Sequence, residues 1–204
     1  MSVVTNKFDI INEFDELNSM TDSEEKKTLA DYCNDIKVMV DKKVGVVFRN
    51  KGKLHAAVVM SNIFASSKKN IRIFAGDLNG DVSGISIWSK SINYSFNENP
   101  ELKIEAVFEK IPNSSSIGYN TLLKLKEKSP TRVSLFKFNE ISVGFFKENL
   151  FDDVFHFTTG DDVMYRIETN ILNYTAVCNV DNIGTTSRLN SLFSIIKAKS
   201  TIIK

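Results

Sequence analysis

The residues that could do chemistry gather between Val154 and Val180, in the run VFHFTTGDDVMYRIETNILNYTAVCNV. His156 is one of only two histidines in the chain. An imidazole titrates near neutrality, which suits it to act as a nucleophile or a general base. An acidic turn, Gly160-Asp161-Asp162, follows it, and then a strand-like run from Val163 to Glu168. Strand alternation places Arg166 and Glu168 on one face of that run and Tyr165 and Ile167 on the other. An Arg–Glu pair on a strand either holds a phosphate or decorates a solvent face, and the residues alone leave both readings open. A turn at Asn170 to Asn173 leads into a return strand, Tyr174 to Val180.

A second candidate lies earlier. Ile71 to Ala75 reads as a buried strand, and Ile85, Trp88, Ile92 and Phe96 keep helical spacing. The loop between them, from Gly76 to Gly84, sits at the carboxyl end of a strand and at the start of a helix. Ligands of open α/β sheets bind there, and helix N-termini favour anions. Gly76, Asp77 and Asn79 are therefore candidate ligand contacts. The plainer alternative is a turn in which Asp81 or Ser83 caps the helix. Asp77 to Asp81 superficially resembles a calcium loop, but it lacks the glycine at the sixth position and has Trp88 at the twelfth in place of glutamate. His55, His156, Cys33 and Cys178 show no ligand spacing, so neither a metal nor a cofactor is expected. His55, among apolar neighbours, reads as packed or capping.

These sites need a frame. Phe8, Ile11, Phe14 and Leu17 recur every three residues, as in a short amphipathic helix. Thr21 and Glu24 have capping-box spacing ahead of a helix from about Asp22 to Asp41. Val44 to Phe48 is a short strand or a turn. Lys51 to Lys69 is apolar on nearly every side and fits a buried helix. After the Ile85–Phe96 helix come a strand from Leu102 to Phe108, a polar loop from Pro112 to Ser116 and a lysine-rich helix from Tyr119 to Lys128. Arg132 to Phe138 is strand-like, and Asn139 to Asp153 is either a loop or an added strand. Thr185 suits the N-cap of a last helix whose Leu189, Leu192, Phe193 and Ile196 face the core. Strands separated by helices imply an α/β fold with a mixed, mostly parallel sheet flanked by helices. Residues 1–69 are expected to form an N-terminal helical segment packed on the main domain, residues 70–204.

Composition narrows the class. A chain of 204 residues with 42% apolar and 25% charged residues has the material for one well-buried core. Fifteen phenylalanines against one tryptophan predict a Phe-rich interior. A net charge of +1 supplies no bulk attraction to nucleic acid or anionic membrane, so nucleic acid would need a local patch. No apolar run reaches the length of a membrane span. The N-terminus lacks a basic stretch followed by an apolar one, and the two cysteines are far apart. A cytoplasmic protein with two reduced thiols is expected.

The order of segments resembles the phospholipase D superfamily. There, a strand–helix–strand–helix–strand series leads to a late His-x-Lys-x4-Asp motif, a return strand and a C-terminal helix. IRIFAG, ELKIEAVF and TRVSLFKF match the early strands, and FHFTTGDD stands where the motif falls, over about residues 70–204. The resemblance implies a phospholipase D-like α/β fold, with His156 in the place of a nucleophile that forms a phospho-histidine intermediate. In the family the lysine neutralises phosphate oxygens, and a second motif copy protonates the leaving group. Here Thr158 holds the lysine position and Val163 the aspartate position, with Asp161 and Asp162 arriving early. Thr158 donates a neutral hydrogen bond but brings no charge, which removes several kcal/mol of transition-state stabilisation by the usual size of such terms.

Only one motif copy is present, so two copies require a homodimer. Two readings follow. One is a non-catalytic or weakly active phospholipase D-like module, a binding or accessory protein with a protein partner or a second copy. The Lys-, Asn- and Phe-rich composition associates it with bacterial or phage defence systems. The other is a divergent, metal-independent phosphodiesterase, a nuclease or phospholipase, using His156 with Arg166 and Glu168, and Gly76, Asp77, Asn79, Thr158 and Asp161 as phosphate or ligand contacts.

Overall fold

In the computed structural model, which describes residues 8–78, 80–139 and 156–204, eight strands form one sheet. In chain order the strands are β1 (Phe48–Asn50), β2 (Asn70–Ala75), β3 (Lys103–Phe108), β4 (Val133–Phe138), β5 (Phe157–Gly160), β6 (Met164–Asn170), β7 (Thr175–Asn179) and β8 (Ser200–Ile202). They lie side by side in the order β1-β7-β6-β5-β2-β3-β4-β8. The helices are α1 (Ile10–Glu13), α2 (Asp15–Asn18), α3 (Ser23–Asp41), α4 (Lys53–Ser66), α5 (Ser86–Glu98), α6 (Ile117–Lys128) and α7 (Ile183–Ala198).

The sheet is mixed, as expected of an α/β fold flanked by helices, but the balance differs from the mostly parallel expectation. Only β2, β3 and β4 run parallel, and every other neighbouring pair is antiparallel. Connection length is the cause. A parallel neighbour needs a long crossover, which α5 and α6 supply, whereas β5, β6 and β7 are joined by short turns that force antiparallel hairpins. β8, absent from the sequence reading, adds antiparallel to β4.

Successive residues of the central strands serve two cores. Ile73 and Ala106 join the large cluster under α4, α5 and α6, while their neighbours Phe74 and Val107 join a smaller one with Phe138, Phe157, Phe193 and Ile196. That is the period of two of a strand buried on both faces. Phe14, Phe64, Phe74, Phe96, Phe108, Phe138 and Phe193 are fully buried, so the interior is Phe-rich. α4 is buried on every side: Ala56 through Ala65 are without exception buried. The chain before residue 70 thus contributes β1 to the sheet edge and α4 to the centre of the core.

Several helix ends differ from expectation. The run from Phe8 to Leu17 breaks into α1 and α2 at Phe14, whose backbone leaves the helical region (φ −91°, ψ 88°) and whose ring is fully buried in the core. Asp22, not Thr21, caps α3, accepting from Glu24 N and Glu25 N. Asn182, not Thr185, caps α7, because its side chain reaches Thr185 N at 2.9 Å. Neither Asp81 nor Ser83 caps α5; Ile85 occupies the cap position and has no capping side chain. The segment 140–153 lies outside the described residues.

α7 lies on the sheet face opposite α4 and carries the apolar positions expected of it, with Phe193 and Ile196 buried and Leu189 and Leu192 half-buried beside Phe157. Phe193→Ala should cost about 3–5 kcal/mol of stability in urea unfolding. A loss below about 1 kcal/mol would show α7 to be peripheral.

Candidate functional site

His156 sits immediately before β5, and its carbonyl accepts a hydrogen bond from Glu168 N (2.8 Å), so the β5–β6 pairing extends to it. That register sets His156 opposite Glu168 and Thr158 opposite Arg166, and alternation turns all four side chains to the same face. His156 Nδ1 meets Glu168 Oε2 at 3.3 Å. Arg166 Nη2 donates to Glu168 Oε1 (3.4 Å) and to the Tyr174 carbonyl (3.3 Å), and its Nε donates to Asn50 Oδ1 (3.2 Å). Arg166 is therefore an inward-facing, 5% exposed guanidinium rather than surface decoration.

The other side of the imidazole faces β3. Glu109 follows β3 directly, and its N–H donates to the carbonyl of Ala75, which fixes it beside the end of β2. Its Oε1 stands 3.7 Å from His156 Nε2. Nε2 is buried and makes no hydrogen bond among the described residues, because 3.7 Å lies beyond hydrogen-bond reach. The ring also lies on the backbone of Gly76, where a Cβ would stand 3.1 Å from His156 Cε1. A side chain at position 76 would require the ring to give by a few tenths of an ångström.

Burial alone would lower the pKa of this imidazole. The negative charges of Glu109 and Glu168, with the Glu168 hydrogen bond, outweigh it and push the value up to about 9 from its ordinary 6.5. His156 is thus an imidazolium at neutral pH, with only about one ring in a hundred neutral. A protonated nitrogen has no lone pair with which to attack phosphorus.

A cavity of about 310 Å³ opens beside this cluster and brings together Gly76, Asp77, Thr158, His156, Arg166 and Glu168. Of the remaining sequence candidates, Asp161 is not part of it. It follows β5 at the end of the strand away from His156, in a left-handed conformation (φ 47°), and its carboxylate accepts from Lys68 N (2.7 Å), Lys69 N (2.7 Å) and Asn70 N (3.0 Å). Asp161 acts as an intramolecular cap on the chain entering β2. Asn79 lies outside the described residues. The helix N-terminus of α5 is likewise in use: Glu16 accepts from Ser86 N (2.9 Å) and from Ser86 Oγ (2.5 Å), so its carboxylate fills the place of an exogenous anion. His55 packs against Tyr32, with ring centroids 4.2 Å apart. Among the described residues, no group of three or more His, Cys, Asp or Glu side chains is arranged to hold a metal ion. Cys33 and Cys178 are free and buried, and burial pushes each thiol up to about 12.

Glu109, Asn50 and Tyr174 were not among the sequence candidates. Glu109 carried a usable signal, a charged residue at the carboxyl end of a strand in the parallel part of the sheet. Asn50 and Tyr174 did not, since they reach Arg166 from strand edges far away in sequence.

The raised pKa makes stability depend on pH. The folded state binds the His156 proton more tightly than the unfolded chain does, so its contribution is complete below about pH 6.5 and is lost as pH rises through about 9. The contribution is on the order of 3 kcal/mol. Urea unfolding at pH 6 and pH 9.5 should show that loss, and Glu109→Gln should reduce it. A His156 NMR titration with a midpoint near 6.5 would contradict the electrostatic account.

No protein-family model matches the sequence, and no curated protein matches it. Solved structures do match in fold. The chain resembles Nuc from Salmonella typhimurium, a phospholipase D family member, with a TM-score of 0.51 at 10% identity, over 78% of this chain and 99% of that one. It resembles NucT from Helicobacter pylori with a TM-score of 0.50 at 12% identity, over 78% of this chain and 100% of that one. It also resembles TrmBL2, an archaeal chromatin protein whose structure shows a novel mode of DNA binding, with a TM-score of 0.57 at 12% identity, over 93% of this chain but only 64% of TrmBL2. At these identities the likeness concerns architecture alone, and the architecture is the phospholipase D-like α/β fold.

Proposed function

We propose that this chain is a catalytically silent phospholipase D-like module that acts as a binding or accessory protein. The observation that carries this reading is the state of His156 Nε2. The atom that would attack phosphorus is buried, faces Glu109 and bears a proton at neutral pH. Thr158 adds to it, because position 158 brings no charge to steady a phosphorane. The partner is a protein or a second copy of the chain. Nucleic acid, if bound, would use a local patch outside the His156 cavity. The cellular setting proposed from composition is the cytoplasm of a bacterium, within a bacterial or phage defence system.

The second reading is a divergent phosphodiesterase, favoured by the His156 Nδ1 contact to Glu168 and by the inward Arg166. A carboxylate on one imidazole nitrogen is how a nucleophilic histidine is held in its tautomer. In that reading Glu109 would have to move away.

Bis-p-nitrophenyl phosphate with EDTA, between pH 6 and 10, separates the two. No turnover is expected at any pH from the wild type, His156→Ala or Arg166→Ala. Metal-independent cleavage by the wild type that disappears in His156→Ala would overturn the silent reading.

A further inference from the structure

The charged side chains around the cavity beside His156 are already paired with one another or with the rest of the chain. Among the described residues the charged lining is Asp77, Asp81, His156, Arg166 and Glu168. His156 stands between Glu109 and Glu168. Arg166 donates to Glu168, to Asn50 and to the Tyr174 carbonyl. Asp81 accepts from the Tyr174 hydroxyl, and Asp77 has a partner of its own. A charged ligand would have to leave water and break one of these pairs, leaving the displaced group short of compensation. An uncharged ligand leaves every pair closed.

The rest of the wall is largely apolar. Met60 lines it from α4, Ile73 from β2, Leu78 and Val82 from the loop after β2, and Ile171 and Leu172 from the β6–β7 turn. Leu172 is 87% and Ile171 54% exposed, so apolar surface stands at the cavity that covering would remove from water. Two lining residues, Leu78 and Tyr174, hold left-handed backbone (φ 43° and 51°), which side chains other than glycine rarely adopt. Hydrogen bonds hold both in place. The Leu78 carbonyl accepts from the Ser83 and Ser116 hydroxyls, and the Tyr174 carbonyl accepts from Asn50 and Arg166. Backbone held in such conformations by its surroundings is concentrated at ligand sites. The bond from the Tyr174 hydroxyl to Asp81 ties the β6–β7 turn to the loop after β2, joining two walls of the cavity. The volume, about 310 Å³, suits a small molecule.

We propose that the cavity beside His156 binds an uncharged small molecule with an apolar body, packed against Met60, Leu78, Val82, Ile171 and Leu172 while the charge pairs around it stay closed. The proposal rests on the catalytically silent reading and gives the binding role of the module a ligand class. A phosphate would have to compete with Glu168 for Arg166, and an ammonium group would have to compete with Tyr174 for Asp81.

Four compounds test it: n-butanol, n-hexanol, n-butylammonium and n-butyl phosphate, titrated against the intact chain while the amide resonances of Gly76 and Leu172 are followed. Hexanol should bind about tenfold tighter than butanol, the size of burying two methylene groups. Butylammonium and butyl phosphate should each bind more weakly than butanol, by about tenfold or more, the size of desolvating a group without a free counter-charge. Val82→Ser should weaken hexanol by about threefold or more, and so should Leu172→Ser, whose exposed position keeps the fold out of question. N-acetyl-leucine methylamide separates a free small molecule from an apolar side chain of a protein partner. Weaker binding than hexanol supports the small molecule, and binding as tight as hexanol would overturn it in favour of the partner side chain. Binding of either charged compound as tight as butanol, no gain from butanol to hexanol, no effect of either substitution, or no binding of any compound would overturn the proposal. Phosphodiester turnover would overturn the silent reading, whereas absent turnover with a preference for butyl phosphate would overturn the ligand class alone.

Discussion

The contact on which the site depends is the imidazolium of His156 between Glu109 and Glu168. It ties together three parts of the sheet: the end of β3, the start of β5 and the middle of β6. Glu168 passes the connection to Arg166, and Arg166 passes it through Asn50 Oδ1 and the Tyr174 carbonyl to β1 and the β6–β7 turn. Asn50 also donates to the Tyr174 carbonyl at 2.8 Å and accepts from Cys178 Sγ at 3.5 Å. A buried charge is tolerated only where it is paired and hydrogen-bonded, and each member here supplies what its neighbour lacks. Removing one carboxylate would leave a buried cation short of compensation, the costly case among buried ion pairs.

Three places in this fold are suited to an exogenous anion, and the chain fills each with a carboxylate of its own. The cationic pair His156 and Arg166 meets Glu109 and Glu168. The N-terminus of α5 takes Glu16, which at the same time docks α2 onto α5. The amide groups of Lys68, Lys69 and Asn70 converge on Asp161. In each case the carboxylate engages groups that would otherwise face a ligand, and in all three it ties distant segments of chain together. The anion-binding physics of an open α/β sheet serves internal cohesion here.

The frame was largely legible in the sequence, and the charge arrangement was not. The buried helix around Ala56 to Ala65, the strands Ile71–Ala75, Leu102–Phe108 and Arg132–Phe138, and the final helix all announce themselves through apolar periodicity, because burial dictates residue type at fixed intervals. Helix ends were less visible: Asp22 against Thr21 and Asn182 against Thr185 turn on which of several short polar side chains reaches an amide, and periodicity does not record that. The predominance of antiparallel pairs was hidden because a strand's direction depends on its connections. The inward face of Arg166 and its pairing with Glu168 could be read from alternation. The place of Glu109 at the end of a strand was legible too, but its meeting with His156 was not, since that depends on β3 lying two strands from β5 across β2.

Thr158 and Glu109 belong to one electrostatic arrangement. Thr158 lies directly across from Arg166 and on the same face as His156. A lysine at position 158 would place a third cation beside that pair, and with only Glu168 as counter-charge the cluster would favour a phosphate strongly. Threonine removes one positive charge from that balance and Glu109 adds one negative charge, so the two together move it by two charges toward neutrality. Either alone would leave a cluster of net charge one, still able to draw an anion into a cavity of low polarity. With both present the cluster is balanced in charge, and the carboxylate that balances it is one of the two that keep His156 protonated. One carboxylate therefore accounts both for the protonation of the histidine and for the neutral balance of the four charged side chains around it.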